Sequence, residues 1–223
     1  MSKELMSKEL PDMSHVALEH ISLRRMPNQE RSRARVEHML NCAIKVITEK
    51  GSEAMTMSEV ARLAGVSIGS LYQYFPDKSA IIRALAEHYG GECLRCIRDG
   101  LSEAETLDAL CDALNELIDV YYALFQAEPV IRDIYSGIGA DKTLRDMEIA
   151  ESRKSGALLS EALRRVAPYC DPERAASDCF LIMHLGEATM RLAISVAPDE
   201  GAKLVDAYKR MAVNELHRAG TKP

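Results

Sequence analysis

Tryptophan is absent from this 223-residue chain, phenylalanine occurs three times, and aromatic residues make up 5% of the whole. So few rings disfavour a sheet protein, whose pleated faces draw on aromatic and β-branched side chains. There is no run of period-two alternation, no Asn-Gly hairpin and no repeat of 20 to 50 residues. Long hydrophobic runs are missing too. The apolar stretch Phe180-Leu181-Ile182-Met183 is followed by His184 and Glu187, far short of the ~20 apolar residues of a spanning helix. The first nine residues carry Lys3, Glu4, Lys8 and Glu9 with no apolar core, so they do not read as a secretory signal, and a cytoplasmic location is expected.

Catalytic signatures are equally scarce. The chain has no phosphate loop, dinucleotide fingerprint or Glu-x-x-His pair. The six cysteines (Cys42, Cys93, Cys96, Cys111, Cys170 and Cys179) are irregularly spaced within apolar helical patterns, as reduced, buried thiols are. Cys93 and Cys96 are two residues apart, but no second Cys or His pair completes a zinc spacing. We therefore expect no catalytic residue, no metal and no cofactor.

What is present is helical. Hydrophobic residues reach 47% and charged residues 28%, enough for a sizeable core. Apolar positions recur at helical spacing, and each proline lies at a helix boundary or in a tail. The pattern predicts an all-α protein of about nine helices, the first over 31–50 and ended by Gly51, the last two over 171–196 and 199–219. The net charge of −6 is uneven: residues 24–83 hold ten Lys/Arg against six Asp/Glu, and residues 84–223 hold sixteen against twenty-four. A small basic unit precedes a larger acidic one, which points to an anionic partner for the first. The boundaries read as an N-terminal flexible arm over 1–27, a DNA-binding domain over 28–90 and a larger bundle over 91–223.

The densest signal lies between Thr56 and Lys78. Thr56 and Glu59 form a capping box, Ala61 is small enough for two helices to touch, and Gly65 supplies the positive φ that reverses the chain. Ser67 then caps a helix of about seven residues that Pro76 ends. Val60, Val66 and Leu71 fill the angle. These are the requirements of a helix-turn-helix, although a plain helical hairpin also turns at a glycine. The exposed positions of the second helix (Ile68, Ser70, Gln73 and Tyr74) carry no charge. Such a face suits base edges and phosphate oxygens: Gln bonds adenine, Ser and Tyr hydroxyls reach phosphates, and Ile68 meets a thymine methyl. Gly69 permits close backbone approach. Lys78 opens the next helix, where its charge opposes the helix dipole and favours a phosphate.

This stretch, with Val66-Ser67-Ile68-Gly69-Ser70-Leu71-Tyr72-Gln73-Tyr74-Phe75-Pro76-Asp77-Lys78 at its core, resembles the DNA-binding domain of the TetR family of transcriptional regulators, and the likeness extends over roughly residues 30 to 90. The resemblance implies an all-helical homodimer with three N-terminal helices for operator DNA and a C-terminal bundle for a small effector. It also implies that Ser67, Ile68, Gly69, Ser70, Tyr72, Gln73, Tyr74 and Lys78 occupy DNA-contacting positions, with Ile68 standing where a polar residue is frequent. The basic residues Arg24, Arg25, Arg31, Arg33 and Arg35 add salt-dependent affinity.

Within the bundle, His184, Glu187 and Arg191 share one face of an otherwise apolar helix, and Glu187 and Arg191 are spaced to pair. The stripe reads either as an interface or as the polar end of a ligand pocket walled by Tyr121, Tyr122, Phe125, Tyr135, Phe180, Met183 and Met190. Leu204, Tyr208, Met211 and Leu216, with Gly186 and Ala188, form the expected dimer contact. The expected function is a repressor released from operator DNA by a small, largely apolar effector. Two other readings stay open: a thiol redox sensor using Cys93 and Cys96, and a helical protein-interaction module.

Overall fold

The computed structural model describes residues 30–136 and 141–220 together with Val16, Ile21 and Leu23. These residues form nine helices and no strand: α1 (Glu30–Ala54), α2 (Met57–Leu63), α3 (Ile68–Tyr74), α4 (Lys78–Ser102), α5 (Leu107–Ala127), α6 (Pro129–Ser136), α7 (Lys142–Val166), α8 (Pro172–Ala193) and α9 (Pro198–Gly220). Among them no helix is long and apolar enough to cross a membrane. The chain divides into two compact units, Met1–Glu92 and Cys93–Pro223.

In the first unit, Val36, Leu40, Ala43 and Ile47 of α1 are buried with Val60, Leu71, Phe75, Ile81 and Leu85. Each side chain of that size contributes about 1.5–3 kcal/mol by leaving water, so the three short helices are held by their core rather than by propensity. Gly51 breaks α1 where the sequence places the stop. It adopts φ 83° and ψ 159° inside the span, and helix resumes to Ala54; a glycine tolerates the kink because it has no Cβ to clash there. The stretch before α1 is not free throughout. Val16 and Ile21 are buried, and the Val16 amide donates to Asn41 Oδ1 at 3.3 Å. Two apolar residues in polar surroundings found a hydrophobic seat, which corrects the expectation of a flexible arm at those positions. Most of residues 1–27, including Arg24 and Arg25, lie outside the described residues.

In the second unit, α5 is the central helix, burying Leu110, Leu114, Ile118, Leu124 and Phe125. Aspartates cap its neighbours: Asp141 Oδ1 accepts from Thr143 and Leu144 at the start of α7, and Asp171 Oδ1 accepts from Glu173 and Arg174 at the start of α8. The last helices pack closely. A Cβ on Gly156 would stand 2.6 Å from the Phe180 Cα, and one on Gly201 would stand 2.3 Å from the Ala193 carbonyl oxygen.

The expected dimer stripe is divided by this packing. Tyr208 and Leu216 are buried in their own chain, where the Tyr208 hydroxyl donates to the Ile182 carbonyl and lies against Gly186. Gly186 therefore admits a tyrosine from α9 of the same chain. The large apolar side chains left exposed on this pair of helices are Leu181, Leu185 and Leu192 of α8 and Met211 of α9.

Candidate DNA-reading surface and buried polar cluster

The turn between α2 and α3 is fixed by local bonds. Thr56 Oγ1 accepts from the Glu59 amide and Glu59 Oε2 accepts from the Thr56 amide, both at 3.3 Å, so the capping box is complete. Lys50 pairs with the same carboxylate; its hydrogen bond, then that of Thr56, holds the Glu59 carboxyl below its ordinary range. Gly65 takes φ 63°, and the Val66 amide returns to the Ala61 carbonyl at 3.0 Å. Ser67 Oγ accepts from the Ser70 amide at 3.2 Å and starts α3.

The helix so placed is anchored by Leu71 and by Phe75 just beyond its end, both buried. Its other face is open. Ser67, Ile68, Gly69, Tyr72 and Gln73 are exposed, whereas Ser70 and Tyr74 are half-buried. Ile68 at 40% and Tyr72 at 44% are the large side chains that this face leaves in water. A Cβ on Gly69 would meet nothing within 4 Å, so no internal contact of the chain requires glycine there. Lys78 has a local partner that the sequence did not disclose: its Nζ donates to the Glu53 carbonyl at 2.9 Å, at the C-terminal end of α1. The ammonium is therefore held in place by an unpaired helix-end carbonyl. Arg31, Arg33 and Arg35 are exposed on the first turns of α1.

In the second unit, three of the sequence-selected rings meet. Tyr121 and Phe125 lie 4.9 Å apart, edge to face, and Phe125 and Tyr135 lie 5.2 Å apart. The two tyrosine hydroxyls are hydrogen-bonded to each other, and burial, reinforced by the nearby Glu187 carboxyl, raises both well above their ordinary value. Glu187 does not pair with Arg191 alone, as its spacing suggested. Arg191 forms an ion pair with Glu148 of α7, a buried side chain, and Glu187 is hydrogen-bonded to that same Glu148. Burial, then the charges of Glu148 and Glu151, raises the Glu187 carboxyl well above its ordinary range against the opposing pull of Arg191. His184 Nδ1 is 3.1 Å from the hydroxyl of Ser152, which also donates to the Glu148 carbonyl.

Not every expected wall residue joins this cluster. The Tyr122 hydroxyl lies against Gly201 at the start of α9. Phe180 stacks under the Arg153 guanidinium, 4.6 Å from its centroid, beside a groove of about 1020 Å³ that Arg164, Arg165 and Ser177 also line. Met190 is fully buried and Met183 half-buried on α8. Sequence reasoning missed Glu148 and Ser152 and gave Tyr208 to the dimer contact; these residues come from α7 and α9 and lie 26 to 43 residues from their α8 partners. Their polarity within apolar helical stripes was the available signal. Cys93 and Cys96 are half-buried on α4, and burial pushes the Cys111 and Cys179 thiols up to about 11 and about 12, which suppresses their thiolates. Among the described residues no group of three or more His, Cys, Asp or Glu side chains is placed to hold a metal ion.

Comparison with known proteins agrees with this geometry. The profile described as "Bacterial regulatory proteins, tetR family" matches residues 40–85, and "Tetracyclin repressor-like, C-terminal domain" matches residues 108–219. An uncharacterized HTH-type transcriptional regulator, YvdT of Bacillus subtilis, is 30% identical over 123 residues, covering 55% of this chain and 61% of that protein. The nucleoid occlusion factor SlmA of Haemophilus influenzae is 35% identical over 83 residues, covering 37% of this chain and 35% of that protein. The chain thus spans less than two thirds of these relatives' lengths. The HTH-type regulator BetI of Rhizobium meliloti is 28% identical over 68% of this chain and 75% of its own. Among solved structures, a TetR-family regulator from Streptomyces coelicolor superposes with a TM-score of 0.63 at 24% identity, covering 83% of this chain and 99% of that one. The reader helices match one profile and half of the chain matches the other, so the chain belongs to the tetR family of bacterial regulatory proteins.

Proposed function

We propose that this protein is a homodimeric transcriptional repressor that reads operator DNA with α3 and is released by a small molecule entering the second unit. The observation that carries the reading is the uncharged, outward face of α3, on which Ile68, Gly69, Tyr72 and Gln73 are exposed beside the capping Ser67. A solvated helix face normally favours Lys and Glu, whereas base edges in a major groove reward a neutral hydrogen-bonding surface. Ser70 and Tyr74 supply hydroxyls at its margins, and Lys78 supplies a positioned charge for a phosphate. The reading assigns residues 28–90 to the reader and 91–223 to effector binding and dimerisation.

Leu181, Leu185, Leu192 and Met211 support dimerisation through α8 and α9, since four large apolar side chains exposed on this helix pair are costly to leave in water. The dimer sets two copies of α3 against successive major grooves, about 34–36 Å apart in the simplest arrangement. Tyr121, Tyr135, His184, Glu187 and Arg191 support an effector pocket. Tyr121, His184 and Glu187 keep accessible surface, although burial dominates the environment of Tyr121 and Glu187, as side chains lining an enclosed space do. An effector that prefers a displaced α4 lowers operator affinity by its differential affinity for the two states.

The test is selection of duplex DNA by the purified protein, followed by anisotropy titration of the selected site and transcription in vitro from a promoter containing it. Salt-sensitive, sequence-selective binding that lowers transcription is the expected outcome. Binding without sequence preference, or with no effect on transcription, refutes it.

A further inference from the structure

The buried cluster of the second unit holds one carboxylate oxygen with nothing to bond. Arg191 is committed to Glu148, His184 to Ser152, the Tyr208 hydroxyl to the Ile182 carbonyl, and the Tyr121 and Tyr135 hydroxyls to each other. Glu187 Oε2 is buried among them without a hydrogen-bond partner. Two carboxylates, Glu148 and Glu187, thus face a single guanidinium, and the site carries an excess negative charge whenever both are ionised. A buried polar group without a partner costs about 1–3 kcal/mol, and a chain that retains one invites a ligand to satisfy it. The charge of Glu187 is felt by the hydroxyls of Tyr121 and Tyr135, whose rings are braced by Phe125 at 4.9 and 5.2 Å. Electron-rich faces beside an unsatisfied carboxylate are the two components of a site for an organic cation.

We propose that the effector carries a positively charged ammonium head, seated between the Glu187 carboxylate and the rings of Tyr121 and Tyr135, on a largely apolar body. The inference rests on the effector-pocket reading above and names the chemical class which that pocket takes. It also fixes a proton balance. The groups facing Glu187 are Glu148 and Glu151 from α7, His184 and Arg191 from α8, and Tyr121, Tyr135 and Tyr208 from α5, α6 and α9. With Arg191 the cation paired in this set, Glu187 holds its proton in the empty site. Arrival of the cation leaves Glu187 ionised and passes that proton to solvent, so the oxygen–hydrogen bond and the hydrogen bond it makes to Glu148 are exchanged for an ion pair with the ligand.

The experiment is isothermal titration calorimetry on the full chain with three probes of one shape class: phenyltrimethylammonium, its neutral isostere tert-butylbenzene, and benzoate. We expect phenyltrimethylammonium to bind at least tenfold more tightly than tert-butylbenzene at pH 8. Its apparent heat will vary with the buffer's ionisation enthalpy in proportion to about one proton released, and its affinity will fall by up to tenfold per unit as pH drops from 8 to 6. In Glu187→Gln the advantage of the cation over tert-butylbenzene shrinks to within threefold and proton release disappears. The buffer series on the parent protein supplies the same test should that variant fail to fold. Equal affinity for cation and neutral isostere, or cation binding without proton release, overturns the cation assignment and leaves the pocket standing. Preference for benzoate overturns it in favour of an Arg191-directed anion. Absence of binding by all three overturns the pocket and the inference together.

Discussion

Arg191→Met removes the cation that faces Glu148 and leaves a carboxylate whose side chain is 6% exposed beside a second acidic residue. Breaking a buried ion pair by deleting one partner costs about 3–5 kcal/mol, because the remaining charge is neither solvated nor paired. Arg191 itself is 28% exposed, so water already screens part of the attraction and the lower end, about 3 kcal/mol, is the expected loss. At about 2–4 °C per kcal/mol for a chain of this size, Tm falls by roughly 6–12 °C. The companion Glu148→Gln, built into Arg191→Met, removes the stranded charge and restores at least half of the loss, whereas Glu148→Gln alone destabilises. Thermal unfolding followed by circular dichroism at pH 7, run as a double-mutant cycle, measures the coupling. A single variant within about 1 kcal/mol of the parent, or a double variant no more stable than Arg191→Met, refutes the assignment of a buried pair to these two residues.

Gln73→Ala is expected to cost about 1–3 kcal/mol of operator affinity and to relax preference at one base pair, while Lys78→Ala weakens all sequences alike and lowers the salt slope by about one; anisotropy titrations across salt and single-base variants check both. Gly65→Ala forces an alanine to φ 63° and is expected to destabilise by about 1–2 kcal/mol, read by chemical denaturation, with space playing no part because a Cβ there meets nothing within 4 Å. Leu185→Glu places a charge on the exposed face of α8 and is expected to shift sedimentation toward the 24.7 kDa protomer and to weaken operator binding at least tenfold; an intact dimer would move the interface elsewhere. The Glu187 carboxyl is raised by burial, then by Glu148 and Glu151, so the unfolded chain releases this proton near 4.5 while the folded chain still holds it. Its stabilising contribution is complete below that pH and is lost as pH rises toward the folded value. Glu187→Gln keeps the protonated shape, so it will gain on the parent as pH rises above 4.5 toward the folded value, by up to about 1.4 kcal/mol per unit. Parallel Tm–pH curves would count against that environment.

The reader was legible because its determinants are local. Thr56 and Glu59, Gly65, and Ser67 with Ser70 each act within five residues, a range over which spacing in the chain fixes spacing in space. Periodicity also located the helices of the second unit, since α8 and α9 fall on the spans it predicts. The bonds of Lys78 to Glu53 and of Val16 to Asn41 each span 25 residues. No local pattern encodes them, and both were missed.

Helical periodicity says which residues share a face but not what that face meets. On α9, Tyr208 and Leu216 read as one stripe with Met211, yet the first two pack inward and Met211 is 65% exposed. On α8, Glu187 and Arg191 stand four apart, a spacing at which neighbours on one helix pair, yet Arg191 takes a carboxylate 43 residues away. That choice has a chemical consequence. An Arg191 satisfied by Glu187 would leave the cluster with one closed pair and a buried Glu148 to be satisfied from elsewhere. An Arg191 satisfied by Glu148 places the unbonded oxygen on Glu187 instead, whose charge the Tyr121 and Tyr135 hydroxyls feel. The charge balance of the cluster is therefore decided by a tertiary contact between α7 and α8, and the residue first read as half of an ion pair is the one left with an unbonded oxygen.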